Sequence, residues 1–293
     1  CCACPLLKSL YVPGPPGGII TAANLDDFAS ALGSACPLLN RVSFPVPGGR
    51  SPAEDYQWYF PRSVCLRFGR AANTHLPIRW DKIELTLRTC VHATEVDLSA
   101  QTVSPRLVDL ILAAPGAGRI KGLDFNEATI SPELILRLAG GLEALSDLQF
   151  PLDFDGGRAF YSSLVQARPS IAKLNIGFGN KLDDDDLRII CHGLPLERLE
   201  LTYVQNLTDR AIDIILESPC AETLRSIEIC HAHQFSSEDV LRLVRGCPRL
   251  ADLEWETSEE HPLDHDVDGP NVDAIDAILT SRGGRTSGVR AYW

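Results

Sequence analysis

Methionine is absent from the 293 residues, and aromatic residues make up only 7%. No stretch approaches the length of about 18 consecutive apolar residues that a membrane-spanning helix needs, so no membrane partner is expected. Basic residues are also scarce, with 27 Lys+Arg against 39 Asp+Glu and a formal net charge of -12. Nonspecific nucleic-acid binding works by counterion release from a basic face, so this balance excludes it. Walker, GxGxxG and GxSxG motifs are missing, which leaves no nucleotide or hydrolase signature. The opening CCACPLLKSL lacks the charged n-region and long apolar h-region of a signal peptide. Starting on Cys1 without a methionine, the sequence reads as a piece of a longer protein, cytoplasmic or nuclear.

What is present is a core and a repeat. Apolar residues reach 45% and charged residues 23%, a globular composition. The pattern apolar-x-x-apolar-x-apolar recurs with its middle residue at Leu10, Val42, Leu66, Val96, Leu123, Leu148, Leu174, Leu199, Ile227 and Leu253. From Val96 onward the spacing stays between 25 and 28 residues; before it the spacing is ragged. The position two residues later is apolar each time, from Val12 to Trp255. Such alternation over a few residues predicts a short strand with one buried face.

A helix signal follows at a near-constant offset. Ser51-Pro52, Ser104-Pro105 and Ser131-Pro132 each set an N-cap serine before a proline at the first helical position. Asp183, Thr208 and Ser236 hold the same phase without the proline, and acidic residues gather in the first turns, Asp183 to Asp186 among them. Residues 77–90 are assigned to a helix with Trp80, Ile83 and Leu87 on its apolar face. Each repeat is therefore strand, loop, helix and return loop. Strands stack about 4.8 Å apart while helices need about 8–10 Å. The helices must then lie on the longer outer arc, which predicts a right-handed α/β solenoid of about ten repeats, a horseshoe or arc. Residues 1–256 form this array. Residues 257–270 make an acidic inserted loop, and residues 271–293 a capping helix and tail.

The ten cysteines are phased with the repeat. Cys4, Cys36, Cys90 and Cys247 each stand six residues before a strand centre, and Cys191 and Cys220 fall close to it. A cysteine at one repeat phase acts as a small buried hydrophobe at the helix-to-strand turn. CPLLKSLYV, CPLLNRVSF and CPRLADLEW, with the copies LERLELTYVQNLTDRAIDIILESPC and SSEDVLRLVRGCPRLADLEW, resemble the cysteine-containing leucine-rich repeat of F-box proteins. The resemblance covers roughly residues 4–256. It implies the substrate-recognition arm of an SCF-type ubiquitin ligase, with the adaptor engaged through an F-box upstream of these residues. A scaffold or regulatory repeat protein, or a small-GTPase activator with Arg210 or Arg158 as a projecting arginine, is the alternative.

Alternation places the residue between the two apolar strand positions on the concave face. For partner binding this selects Asp97, Asp124, Gln149, Asn175, Glu200, Glu228 and Glu254, an acidic strip suited to a basic or Lys/Arg-containing protein segment. No enzyme activity, cofactor or metal is expected. Asp264 to Asp268 imitates half an EF-hand loop, but Ile275 stands where the bidentate Glu belongs. His261 and His265 could make only an adventitious site. Cys230-His231-Ala-His233 lacks the third group of a catalytic set. Asn206-Leu-Thr208 matches a glycosylation sequon, with Thr208 already explained as a helix cap.

Overall fold

Short apolar alternation does produce short strands. The computed structural model describes residues 9–11, 41–44, 56–59, 65–67, 80–177, 181–230, 234–257 and 270–291. All ten expected strand centres fall inside strands. The chain divides into two compact units, Cys1–Ala144 and Leu145–Trp293.

In the first unit the strands are β1 (Ser9–Tyr11), β2 (Arg41–Phe44), β3 (Tyr56–Tyr59), β4 (Cys65–Arg67), β5 (Glu95–Asp97) and β6 (Gly122–Asp124). Helices α1 (Trp80–Thr89), α2 (Pro105–Leu112) and α3 (Pro132–Gly141) accompany them. The α1 helix lies within the expected 77–90. Strands β4, β5 and β6 pair in parallel, with Leu66, Val96 and Leu123 in register. One expectation fails here. The Ser51-Pro52 signal predicts a helix, yet Tyr56–Tyr59 is a strand antiparallel to β2. The sequence between them, with Pro45, Pro47, Gly48, Gly49 and Pro52, has poor helix propensity, and a parallel partner would need a longer crossover than an antiparallel one. The β-prone run Tyr-Gln-Trp-Tyr then takes the free edge of β2. Cys4, Cys36 and Ser51 lie outside the described residues.

The second unit is regular. Strands β7 (Asp147–Gln149), β8 (Lys173–Gly177), β9 (Arg198–Thr202), β10 (Ser226–Cys230), β11 (Asp252–Thr257) and β12 (Arg285–Ala291) form one parallel succession. The helices are α4 (Gly157–Ala167), α5 (Asp184–Gly193), α6 (Arg210–Glu217), α7 (Cys220–Thr223), α8 (Ser237–Gly246) and α9 (Pro270–Ser281). Strand β12 falls in the expected tail and carries no spacing signal. It pairs with β11 through a register shift between Leu253 and Glu254.

The core is built as the spacing dictates. Leu148, Leu174, Leu199, Ile227 and Leu253 are buried, as are Phe150, Ile176, Leu201, Ile229 and Trp255 two residues on. Helical Ile190, Ile212, Ile215, Val240 and Val244 are buried as well. Each such side chain contributes about 1.5–3 kcal/mol of burial against the entropy of ordering it. Next to Phe150 lies an aromatic group. Its ring stacks on Phe154 at 5.1 Å and meets Phe160 and Tyr161 edge-on at 5.7 and 6.1 Å.

The caps follow the sequence with two variations. The Ser104 hydroxyl accepts from the Leu107 N–H, Asp183 accepts from the Asp186 N–H, and Ser236 forms a full capping box with Asp239. Ser131 makes no such bond to its helix. Its hydrogen bond goes to the Glu133 carboxylate, which holds that group below its ordinary pKa. Thr208 accepts from Arg210 N–H, while its own N–H and hydroxyl donate to Asp184 at 3.0 and 2.6 Å. One helix start thus caps the loop of the next repeat.

The cysteines Cys90, Cys191, Cys220 and Cys247 are all buried. The Cys220 thiol donates to the carbonyl oxygens of Cys191 and Leu194, at 3.0 and 3.3 Å. The phase is therefore a small buried donor tying one repeat's turn to the preceding helix end.

Candidate functional site

On the second unit, the residues that alternate with the buried ones stack into two polar rows. Register aligns Asp147, Lys173, Arg198, Ser226 and Asp252 in the first row. It aligns Gln149, Asn175, Glu200, Glu228 and Glu254 in the second. Neighbouring parallel strands lie about 4.8 Å apart, so the three glutamates form a carboxylate ladder at that pitch. Like charges so placed repel, and only partners or an incoming cation relieve them.

Relief within the chain is uneven along the ladder. Lys173 pairs with Asp147 at 3.3 Å and so stays in the first row. Glu200 is the best compensated of the three glutamates: Arg198 pairs with it and the Asn175 amide donates to it. Its side chain is 16% exposed. Glu228 is half-buried. Burial, then Glu200, then Glu254 push its carboxyl above the ordinary range, against the pull of Arg198 and a Cys230 thiol contact at 3.8 Å. Glu254 is exposed. Across β9, β10 and β11 the two rows carry Glu200, Glu228, Asp252 and Glu254 against one guanidinium, that of Arg198.

The first unit treats the equivalent positions differently. Asp97 is only 4% exposed. Its Oδ1 accepts from the N–H and the hydroxyl of Ser99. The Oδ1 of Asp124 accepts from the Asn126 N–H at 2.8 Å. Both side chains fold back onto the turn after their strand, and in that turn Ala100 and Glu127 take left-handed backbone angles, φ 56° and 55°. A strand-phase argument cannot see this, because Asp suits an exposed strand face and an Asx turn alike. Of the seven expected residues, Gln149, Asn175, Glu200, Glu228 and Glu254 share one face, and Asp97 and Asp124 serve their own loops.

Two of the described cysteines are poor nucleophiles, and the Cys220 thiol, held below its ordinary value by its contact with Cys191, is sealed from solvent. Burial raises the Cys247 thiol to about 11. The Cys220 sulfur, then burial, raise Cys191 well above the ordinary thiol range. These are protonated, inert thiols. Among the described residues no three His, Cys, Asp or Glu side chains converge on a metal-sized site. His231, His233, His261, His265, Asp264, Asp266 and Asp268 lie outside the described residues. Arg158 is bonded to Asp185 and does not project free. No helix among the described residues is long and apolar enough to cross a membrane.

A second feature has no sequence signal beyond a run of aspartates. Where β7, β8 and β9 hand over to their helices, Asp155, Gly157, Arg158, Lys181, Asp183, Asp186 and Asn206 line an open cavity of about 670 Å³. The aspartate run predicts a solvated first turn, yet Asp186 is only 5% exposed.

Comparison with known proteins returns no matching family and no matching curated protein. Among solved structures the chain is similar to the crystal structure of the leucine-rich repeat-containing protein LegL7 from Legionella pneumophila. The two are 15% identical with a TM-score of 0.50, over 74% of this chain and 72% of that chain. Identity that low speaks for fold alone, and the F-box resemblance gains no support from it. Repeating strand and helix, parallel pairing and this likeness together give the chain the leucine-rich-repeat α/β solenoid fold.

Proposed function

We propose that this chain is a protein-binding repeat array, and that the Glu200, Glu228 and Glu254 ladder holds a Lys/Arg-containing segment of its partner. The observation that carries the reading is geometric: Glu228 stands in register between Glu200 and Glu254, one strand away on either side, with Arg198 paired to Glu200. A face arranged at a cost in self-repulsion is relieved by a cationic partner, and the relief appears as binding energy and faster association. Gln149 and Asn175 extend the same face with neutral donors and acceptors. Asp97 and Asp124 are left out of the contact because their carboxylates are committed to turns. The array does no chemistry.

The finer assignment rests on the repeat class. Cysteine-phased repeats resembling those of F-box proteins favour a substrate receptor of an SCF-type ubiquitin ligase, working in the cytoplasm or nucleus. The ladder would then hold the target while an F-box tethers adaptor and cullin. A scaffold without an F-box uses the same face for a different end.

Affinity capture with the full-length protein tests both levels. Wild type is compared with Glu200→Gln/Glu228→Gln/Glu254→Gln, and adaptor and cullin are probed directly. Loss of a partner from the triple variant, with adaptor and cullin retained, supports both levels. A partner lost without adaptor or cullin ever appearing supports the scaffold. An unchanged partner set removes the ladder from the account.

A further inference from the structure

The cavity between the strand ends and the helix starts of the second unit carries more charge than its own residues resolve. Five of its lining side chains are charged. Both cations are committed: Lys181 donates to Asp155 at 2.9 Å, and Arg158 pairs with Asp185 at the rim. Asp183 and Asp186 remain. Asp183 accepts a backbone N–H, that of Asp186, at 2.8 Å. Asp186 stands at the third position of α5, and its Oδ1 has no hydrogen-bond partner. A carboxylate stripped of water with one oxygen unpaired costs free energy unless an opposite charge compensates it. Burial and then the Asp183 charge drive its carboxyl above the ordinary range, and a hydrogen bond from the Asp183 backbone N–H, then Arg158, offset them only in part.

The kind of ligand follows by chemistry. An anion is excluded, because aspartates already occupy the first turn of α5 where one would dock. A metal ion is excluded, because the described carboxylates do not converge in threes. An organic cation remains. About 300–1,000 Å³ is the usual size of a small-ligand site, so the volume admits a long side chain with its charged end. Asn206 adds an exposed amide at the rim that can accept from it.

We propose that this cavity is a second binding site, distinct from the glutamate ladder, that takes the guanidinium or ammonium end of an Arg or Lys side chain, with Asp186 and Asp183 as its counter-charges. That the side chain belongs to a protein partner rests on the function proposed above; the site itself does not. A planar guanidinium matches a carboxylate better than an ammonium does, so arginine is preferred.

The test uses the whole chain, with N-acetyl-L-arginine amide as probe and N-acetyl-L-citrulline amide as its neutral isostere. Backbone amide shifts are followed by NMR. The expected result is a saturable shift at Asp186, Asn206 and the start of α5, with citrulline binding at least about tenfold weaker. Asp186→Asn weakens the arginine probe by a similar factor, and Asp109→Asn, at an exposed carboxylate of the first unit paired with Arg137, leaves it unchanged. Equal binding of citrulline, an unaffected Asp186→Asn, or no saturable shift overturns the site. Shifts centred on β9 to β11 also overturn it while leaving the ladder standing. Partner loss in the triple glutamine variant bears on the ladder alone, so the two readings fail separately. The citrulline comparison and the map of shifted amides need no variant, so a folding defect in Asp186→Asn leaves both decisive.

Discussion

At Leu199 the side chain is fully buried at a strand centre. Leu199→Ala leaves a cavity and is expected to cost about 2–5 kcal/mol, read by denaturant unfolding; a loss below about half a kcal/mol contradicts the packing. Glu228 gives a second residue-scale expectation, with its sign set by linkage. Its folded carboxyl holds a proton more tightly than its ordinary value of 4.5 allows. The destabilisation is therefore absent well below that value and enters as pH rises through the raised pKa. Glu228→Gln should raise Tm at pH 7, and the gain should fade as pH drops toward 4.5. A gain that does not change with pH argues against the repulsion. Single residues also mark what the sequence can and cannot show. Leu199 and Glu228 are legible because a strand alternates with period two. The roles of Asp97 and Asp186 are not, since a carboxylate's burial is set by loop geometry and packing that no periodicity encodes.

At the scale of elements, the loop from β7 into α4 shows how tightly the cavity wall is fixed. A Cβ on Gly156 would come within 2.7 Å of the Phe154 ring and 2.5 Å of Phe160. Gly156→Ala must therefore displace the aromatic group next to Arg158, with a fall in Tm and altered near-UV circular dichroism as the readout. At the end of the unit, Arg282 donates to the carbonyl oxygens of Val244, Cys247 and Leu250 at 3.0, 2.9 and 3.0 Å. The Val244 carbonyl is left over where α8 ends, and the same guanidinium ties it to the following turn through Leu250 and through Cys247, which also accepts from the Leu250 N–H. Arg282→Met should cost about 1.5–3 kcal/mol, the range for hydrogen bonds to a charged group; no measurable change would remove Arg282 from the account of how α8 terminates. Most of the elements are legible from apolar spacing and Ser/Asp/Thr caps. Helices α4 and α7 start without a side-chain cap and carry no such signal, and among the strands the exceptions are β3 and β12. A helix signal with too much proline and glycine around it misleads at the first, and the Arg-Thr-Ser-Gly of the second carries no apolar alternation. Its partner, the open edge of β11, is a property of the fold and not of the local sequence.

Across the molecule, a net charge of -12 is distributed unevenly, and the second unit shows how. Exposed ion pairs such as Arg158 with Asp185 and Arg242 with Asp213 join helices of successive repeats. Open to water and screened by salt, each contributes little to stability. On the sheet face Glu200, Glu228 and Glu254 stand one strand apart, with Arg198 paired to the first of them. Such charge attracts a basic partner over a Debye length of about 8 Å at physiological salt, so association should slow as salt rises. The leucine-rich-repeat fold is legible in the amino-acid sequence alone, from strand spacing. The identity of a partner is not, because a repeat array presents its specificity through surface residues that the fold leaves free to vary.

The most direct test is zero-length carbodiimide cross-linking of the full-length protein in its native extract, mapped by mass spectrometry, which joins carboxylates to amines in contact. The account predicts cross-links from Glu200, Glu228 or Glu254 to lysines of one partner protein, abolished in Glu200→Gln/Glu228→Gln/Glu254→Gln while its Tm is unchanged or higher. A partner retained by the triple variant, with its cross-links elsewhere on the chain, would contradict it.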